Sequence, residues 1–155
     1  MKKFYSRKDG IILTAIEIIS ELGFQSLSIR EIAKRQGMAE SLLYKNYKSK
    51  DEVLAAVLKY YSKYDTAIMN TILKNENAWK QKIIDFVCSY AEYYQNYPAI
   101  TSLPVSYDSF FHEDSSRDLV ISIVKKRSEY ISYLISNAIE KGELKRDFNP
   151  AELSE

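Results

Sequence analysis

Apolar residues recur every three or four positions along most of the chain, which is the spacing of helices that bury one side. No alternation of apolar and polar residues is long enough for a useful strand, and the chain has only four glycines. The pattern therefore predicts an all-α fold. Helices are expected, in chain order, at residues 6–22, 29–36, 40–47, 51–75, 79–97 and 114–141, with a short irregular helix between 99 and 113.

One predicted helix is much longer than the helices that precede it. It begins at Asp51, and its apolar residues continue at helical spacing as far as Ile72. A helix that ends near Asn75 would be about 35 Å long, because each residue adds ~1.5 Å. That length exceeds what a small three-helix domain needs. We therefore expect this helix to connect an N-terminal domain at residues 1–52 to a helical body at residues 53–155.

The segment from Leu27 to Leu54 predicts two short helices joined by a tight turn. Ser28 and Glu31 have the spacing of a capping box, and Gly37 can adopt the left-handed conformation that ends the first helix. The second helix is expected to make about two turns, and Ser49 opens the helix that follows, with a second capping-box pattern. Two short helices around a glycine turn form a helix-turn-helix unit, whose second helix can lie in the DNA major groove.

The same segment contains a Leu-Tyr pair, an aromatic residue three positions later and then a Ser-Lys-Asp string. This pattern resembles the DNA-binding domain of the tetracycline-repressor (TetR/AcrR) family. The resemblance covers the first third of the chain, and the remainder resembles the family only as a set of helices. It implies a regulator that binds double-stranded operator DNA as a homodimer. It also implies that the helical body binds a small-molecule effector. The matching residues are Ile29, Ile32, Ala33, Gly37, Leu43, Tyr44, Tyr47, Ser49, Lys50, Asp51, Val53 and Leu54.

The exposed side of the second helix is where side chains would reach base edges, while flanking groups would grip phosphates. The resemblance implies phosphate contacts for Ser28 and Lys50. Arg30 would contact a guanine edge or a phosphate, and Tyr44 the sugar-phosphate backbone or a thymine methyl. The candidate DNA-binding residues are Ser28, Arg30, Glu40, Ser41, Leu42, Tyr44, Lys45, Asn46 and Lys50.

Several positions near this helix have two interpretations or depart from the family pattern. Glu40 either accepts from a cytosine amino group or is a solvated residue at the helix start, and we favour the second. Leu42 replaces a small polar residue and is suited to a thymine methyl. Ala39 replaces the usual serine cap, which removes about 1 kcal/mol of capping. We interpret Tyr47 as core packing and Tyr44 as a DNA contact.

Charge is divided unevenly along a chain whose formal net charge is +1. Residues 1–52 hold ten Lys and Arg against seven Asp and Glu, a balance of +3, and the remaining residues have a balance of −2. A basic N-terminal end suits contact with phosphates. Lys2 and Lys3 begin a basic arm that is either a solvated tail or a further contact with the DNA backbone. No run approaches the ~20 apolar residues of a membrane span, and the N-terminus lacks an apolar signal core, so we expect a cytoplasmic protein without membrane association.

Aromatic residues are abundant, with 13 Tyr and 6 Phe, and many lie between Trp79 and Tyr133. Most are expected to pack in the core with their hydroxyls at its rim. The resemblance implies an effector pocket in the helical body, and aromatic walls suit a flat apolar compound or a lipophilic cation. Its candidate lining is Phe86, Tyr90, Tyr94, Tyr107, Phe110, Phe111, Tyr130 and Leu134, with His112 as a polar contact.

Enzymatic functions are disfavoured by the small number of reactive side chains. One histidine and one cysteine cannot supply a multi-ligand soft-metal site or a second histidine for relay chemistry, and no cofactor is predicted. Cys88 has apolar neighbours in sequence and is expected to be an inert, buried thiol. A single cysteine also fits a reducing compartment.

The last residues have the pattern of a helix start, with Asn149 as cap and Pro150 at the first position, yet the chain ends at Glu155. Family members usually continue into two C-terminal helices that form a dimeric four-helix bundle. The pattern and the resemblance together predict that those two helices are missing.

We therefore predict a one-component transcriptional regulator. It is interpreted as a repressor that binds a palindromic operator as a homodimer and is released by a small apolar or aromatic effector. The alternative is a helical protein that carries or sequesters a small molecule and binds DNA weakly and without sequence preference. A protein-interaction module is the third option.

Overall fold

A computed structural model describes residues 6–145, and every regular element in that range is a helix. The predicted all-α fold is confirmed. Short 3₁₀ helices at Phe24–Ser26 and Pro98–Thr101 separate some of the α-helices. In chain order, the α-helices of this range are α1 (Arg7–Leu22), α2 (Ile29–Gln36), α3 (Glu40–Tyr44), α4 (Lys50–Tyr61), α5 (Asp65–Lys74), α6 (Trp79–Asn96), α7 (Ser102–Val105), α8 (Tyr107–His112) and α9 (Asp114–Glu140).

The described chain divides into two compact units. The first unit contains residues 6–62 and 97–120, and the second unit contains residues 63–96 and 121–145. Helix α9 therefore contributes its first turns to the first unit and the remainder to the second. This division follows packing, and the functional boundary predicted after residue 52 stays a prediction.

Helix α1 is central to the first unit, where it packs against α2 and α4. Ser6 and Asp9 begin it with a reciprocal capping box: Ser6 Oγ accepts from the Asp9 amide at 3.2 Å, and the Asp9 carboxylate accepts from the Ser6 amide at 3.3 Å. Its buried side chains are mainly isoleucines. Phe24, just beyond its end, packs edge-to-face on Phe110 of α8 with ring centroids 4.8 Å apart.

The single helix predicted from Asp51 to Asn75 is wrong, because the helix breaks between α4 and α5. Ser62 leaves the helix with φ −93° and ψ 3°, and its hydroxyl donates to the Leu58 carbonyl at 3.1 Å. Asp65, the first residue of α5, is buried and bound by side chains of α6 and α9. These long-range bonds fix the start of α5, which the local apolar spacing could not indicate.

The second unit is built from α5, α6 and the later turns of α9. Met69, Tyr130 and Leu134 form its buried centre, and Trp79 and Phe86 are among the partly buried residues that pack against it. Helix α9 ends at Glu140, one residue before the predicted end. Gly142 follows in the left-handed region at φ 73°, which allows the Glu143 amide to donate to the Ala138 carbonyl at 2.8 Å.

Other predicted features have mixed outcomes. The irregular helix predicted between 99 and 113 consists of the Pro98–Thr101 turn, α7 and α8. The predicted helix start at Asn149 and the basic residues Lys2 and Lys3 lie outside the described residues. No helix within 6–145 combines the length and the apolar character needed to span a membrane.

Candidate nucleic-acid interface

Helix α2 begins and ends as predicted, although one half of its capping box is missing. Ser28 Oγ accepts from the Glu31 amide at 3.1 Å. The Glu31 carboxylate, however, accepts from Arg35 Nε at 3.2 Å and lies 3.6 Å from the Lys34 ammonium, so it does not reach back to Ser28. Gly37 ends the helix in the left-handed conformation, with φ 61° and ψ 33°. Ser28 itself is exposed at the start of α2.

Two side chains of α2 hold it against α1. Arg35 Nη1 donates to the Glu21 carboxylate at 2.7 Å, and this bond raises the pKa of the guanidinium. The Gln36 side-chain amide donates to the Thr14 hydroxyl and, at 3.3 Å, to the Gly10 carbonyl. These bonds fix the position of α2 on α1 and, through the Gly37 turn, the place where α3 begins.

Helix α3 is shorter than expected, because the helix predicted for residues 40–47 ends at Tyr44. The chain then turns, and the Asn46 amide donates to the Leu43 carbonyl at 2.8 Å. Asn46 Nδ2 donates to the Leu42 carbonyl at 3.0 Å, so this side chain satisfies a carbonyl at the helix end. Ala39 at the N-cap makes no side-chain hydrogen bond, which agrees with the predicted loss of a cap.

The candidate DNA-binding residues differ in exposure. Ser28, Arg30, Glu40, Ser41, Tyr44 and Lys45 are exposed, whereas Leu42, Asn46 and Lys50 are half-buried. Leu43 and Tyr47 are buried and hold α3 on the first unit. The inward side of α3 thus packs against the first unit. Its outer side exposes Tyr44 and polar side chains.

Two lysines lie close to buried aromatic rings at the edges of this surface. The Lys50 ammonium is 5.3 Å from the centre of the Phe24 ring, and the Lys8 ammonium is 5.9 Å from that of Tyr47. Both distances suit cation–π attraction. Burial, with smaller contributions from Asp9 and Glu52, raises the pKa of Tyr47, so its hydroxyl remains protonated.

The residues predicted to line an effector pocket fall into two groups. Phe86, Tyr90, Tyr94, Tyr130 and Leu134 belong to the second unit. There, the ring of Phe86 is 4.9 Å from that of Tyr90 and 5.3 Å from that of Tyr130, and the rings of Tyr90 and Tyr94 are 6.3 Å apart. The structure brings these five residues together in one aromatic cluster.

The other four belong to the first unit. Phe110 is fully buried against Phe24, and Tyr107 packs edge-to-face on Tyr61 at 6.2 Å. Phe111 is 41% exposed, and the exposed His112 lies 3.4 Å from the Asp108 carboxylate. These residues are not part of the aromatic cluster.

The aromatic cluster contains a buried ion pair that the sequence reasoning missed. Asp65 is 2% exposed, and its carboxylate accepts from Arg127 Nη2 at 2.8 Å, from Arg127 Nε at 3.0 Å and from the Tyr90 hydroxyl at 2.8 Å. Burial raises the pKa of Tyr90, which keeps the hydroxyl protonated as a donor. Arg127 occupies an inward position of α9 between Ile123 and Tyr130. A charged residue in this apolar stripe was the feature of the sequence that could have indicated the ion pair.

Two further features of the second unit differ from expectation or were not expected. Cys88 is exposed on α6, so the prediction of a buried thiol is wrong. Its apolar sequence neighbours mislead because Val87 and Ile84 are themselves exposed. A shallow groove of about 300 Å³ also runs between α5 and α6, and its walls are Tyr64, Ala67, Ile68, Thr71, Ile72, Ser89 and Tyr93.

Residues 11–57 match the family model described as bacterial regulatory proteins, tetR family. Residues 11–57 thus carry the N-terminal domain of the TetR family. The match includes α2, the Gly37 turn and α3, and it extends from α1 into α4. The surface formed by the outer side of α3 and the start of α2 lies within this match and is the candidate DNA-binding surface.

Individual relatives match this chain over different lengths. An uncharacterised helix-turn-helix regulator of Bacillus subtilis, YerO, is 34% identical over 55 residues, which is 36% of this chain and 19% of that protein. The fatty acid metabolism regulator protein of Bacillus subtilis is 22% identical over 94% of this chain and 74% of its own length.

Solved structures show the same fold. The ketosteroid transcriptional regulator KstR2 of Mycobacterium tuberculosis superimposes with a TM-score of 0.86 at 16% identity, over 98% of this chain and 78% of that one. The relatives and the shared fold are those of transcriptional regulators and not of enzymes.

Proposed function

We propose that this TetR-family regulator is a ligand-responsive repressor that binds an inverted-repeat operator as a homodimer. The observation that carries the DNA-binding part is the difference in exposure around α3. Leu43 of α3 and Tyr47 just beyond it are buried, whereas Ser41, Tyr44 and the following Lys45 are exposed. A helix anchored in this way can lie in the major groove without losing its own packing.

The exposed residues have distinct proposed roles. Arg30 reads a guanine edge, since a guanidinium can donate two parallel bonds to O6 and N7. Tyr44 packs against the sugar-phosphate backbone or a thymine methyl, while Ser28 and Lys45 contact phosphates. Glu40 is a solvated residue at the positive start of α3, where a carboxylate is favourable.

Three half-buried positions contribute less directly. Asn46 supports the end of α3 through its bond to the Leu42 carbonyl, rather than reading bases with that amide. Leu42 offers apolar surface to a thymine methyl. Lys50 reaches a phosphate from the start of α4, and its place beside the Phe24 ring limits the orientations that its ammonium can adopt.

The proposed effector is a small apolar or aromatic molecule bound at the aromatic cluster of the second unit. Apolar walls with a few convergent polar groups are the usual composition of a ligand site. Similarity over most of the chain to a fatty acid metabolism regulator supports an effector of apolar character. Effector binding shifts the population of the dimer toward a spacing of recognition helices that no longer matches half-sites one DNA turn apart.

The test is selection of duplexes from a random DNA pool by the full-length chain at low and at moderate salt. Enrichment of an inverted repeat that survives the higher salt supports a sequence-specific dimeric regulator. Arg30→Ala should then relax the preference at one base pair. Lys125→Ala, which removes an equal charge from an exposed position of α9, should leave the preference unchanged.

The opposite result is equally informative. Binding that disappears with salt and enriches no sequence reflects only the release of counterions from DNA. The proposal would then be abandoned in favour of a small-molecule carrier.

A further inference from the structure

The ion pair between Asp65 and Arg127 adjoins the rings of Tyr90 and Tyr94 in the aromatic cluster. The Arg127 guanidinium grips both oxygens of one carboxylate and stacks over the Tyr90 ring, 4.7 Å from its centre. Arg127 Nη1 also donates to the Tyr94 hydroxyl at 3.4 Å. The Arg127 side chain is 16% exposed, whereas Asp65 is 2% exposed. Arg127 therefore binds a carboxylate while part of its own side chain remains exposed.

Another cation of the second unit, Lys82, is buried and makes its hydrogen bonds within the fold. Lys82 donates from its ammonium to the carbonyls of Ile72 at 3.0 Å, Leu73 at 3.2 Å and Asn75, all at the end of α5. The three hydrogen bonds from this one ammonium group compensate the partial negative charge of the carbonyls at the helix end. Lys82 thus stabilises the end of α5, whereas the partly exposed guanidinium of Arg127 is bound by the side chain of Asp65.

We propose that Arg127 binds the carboxylate of an anionic effector, which displaces the side chain of Asp65. This inference rests on the proposed function and specifies the effector as an amphiphile with an apolar body and a carboxylate end. Asp65 acts as an internal ligand that occupies the guanidinium when the effector is absent. The apolar body packs against Phe86 and Tyr130, whose rings adjoin that of Tyr90.

Electrostatics select an anion at this position. A lipophilic cation would meet Arg127 at the same tyrosine face that the guanidinium already covers, and like charges in a poorly solvated site repel strongly. A neutral alcohol can accept a hydrogen bond from the guanidinium, but it forms neither an ion pair nor two parallel bonds. A carboxylate forms two parallel bonds of the kind that Asp65 already shows to fit.

Displacement of Asp65 would have a structural consequence. Asp65 is the first residue of α5 and follows the break at Ser62 directly after Lys63 and Tyr64. Release of its carboxylate removes the tie between the start of α5 and helices α6 and α9. The bound effector would thereby change the segment that joins α4 to α5.

Binding can be measured with the intrinsic fluorescence of Trp79, the single tryptophan, which packs on the centre of the second unit. The probes are decanoate, decanol and decylammonium, which share one tail and differ in charge, each below its micelle-forming concentration. We expect decanoate to bind about tenfold more tightly than decanol, the equivalent of roughly 1.4 kcal/mol. Decylammonium should bind more weakly than decanol. If the wild-type protein bound decanoate and decanol with equal affinity, that result would be sufficient to overturn the inference.

The two halves of the ion pair should have opposite effects on binding. Asp65→Asn removes the internal competitor and should tighten decanoate binding several-fold, whereas Arg127→Met should abolish the preference for decanoate over decanol. A purely structural ion pair predicts weaker binding in both variants. Glu129→Gln and Lys125→Met change the same charges at exposed positions of α9 and should have no effect.

Thermal denaturation establishes whether each variant is folded. If Arg127→Met is unfolded, Arg127→Lys replaces it in the experiment. Because lysine retains the charge, this variant should keep part of the preference for decanoate over decanol. A protein that selects an operator but shows no headgroup preference contradicts this inference and leaves the proposed function intact. A protein that prefers decanoate but selects no operator supports this inference and contradicts the proposed function.

Discussion

Tyr44 and Tyr47 are three residues apart in one short segment, yet Tyr44 is 48% exposed and Tyr47 is 8% exposed. Tyr44 is the last residue of α3, and its ring lies on the outer side of the helix. Tyr47 follows the turn and is buried beneath the Lys8 side chain. We therefore predict separable roles for two residues of one type, recognition for Tyr44 and packing for Tyr47.

Substitution of each tyrosine by alanine should separate these roles. Tyr47→Ala should lower the free energy of unfolding by about 3–5 kcal/mol, because a large buried ring is lost. Tyr44→Ala should change that free energy by less than about 0.5 kcal/mol, as expected at the surface. The same variant should weaken binding to the selected operator by roughly tenfold. Urea unfolding and a duplex titration give the two quantities.

Tyr47→Phe is the matched control, since it retains the ring, and it should bind the operator like the wild type. Operator affinity that is unchanged in Tyr44→Ala would remove this residue from the interface.

The buried pair of Asp65 and Arg127 should be costly to break from one side only. Arg127→Met leaves the carboxylate in the core without its partner, and we expect a loss of about 3–5 kcal/mol in the free energy of unfolding. The double variant Asp65→Leu with Arg127→Met should recover much of that loss, because no unpaired charge is then buried. Urea unfolding of the two single variants and the double variant gives the coupling energy. Equal and additive losses would show that the two side chains do not depend on each other.

Local patterns in the sequence were sufficient to predict most helices. Gly37 illustrates why: a left-handed glycine ends a helix by means of bonds within six residues, which are visible in the sequence. The break before Asp65 was not visible, because the residues that hold it lie on α6 and α9, and one of them is Arg127. Apolar spacing continues through Tyr64 and Ile68 as if the helix were unbroken.

The candidate sites divide in the same way. The exposure of Tyr44 and the burial of Tyr47 followed from helical geometry and from the family resemblance. The aromatic cluster was predicted only in part, because a count of aromatic residues does not tell which ones meet. Phe110 shows the difficulty, since its partner Phe24 lies far away along the chain in the first unit. Asp65 and Arg127 needed the fold to bring them together.

Lys82 provides a further prediction about the second unit. Lys82→Met should lower the free energy of unfolding by about 1–3 kcal/mol, because carbonyls at the end of α5 lose a charged donor in a buried place. Lys80→Met is the matched control, since its side chain is exposed on the same helix and its backbone bond to Glu143 remains. Urea unfolding followed by circular dichroism measures both variants. An equal effect of the two substitutions would contradict the role assigned to Lys82.

Tyr130 predicts how stability depends on alkaline pH. Its hydroxyl donates to the Met69 carbonyl at 2.9 Å, and burial raises the pKa of Tyr130 from 10.0 to about 12. The unfolded chain therefore releases this proton at lower pH than the folded chain does. The stabilisation by the neutral hydroxyl is complete below pH 10.0 and is lost as the pH rises toward about 12.

Tyr130→Phe should consequently be less stable than the wild type at neutral pH, by about 0.5–1.5 kcal/mol for the lost hydrogen bond. Between pH 10.0 and about 12 the variant should lose less stability than the wild type, because it lacks the titrating group. Urea unfolding at a series of alkaline pH values measures both profiles. A Tyr130→Phe stability profile parallel to that of the wild type would contradict this prediction. It would show that the folded and unfolded chains release the Tyr130 proton equally readily, because only a difference in bound protons makes the free energy of unfolding depend on pH.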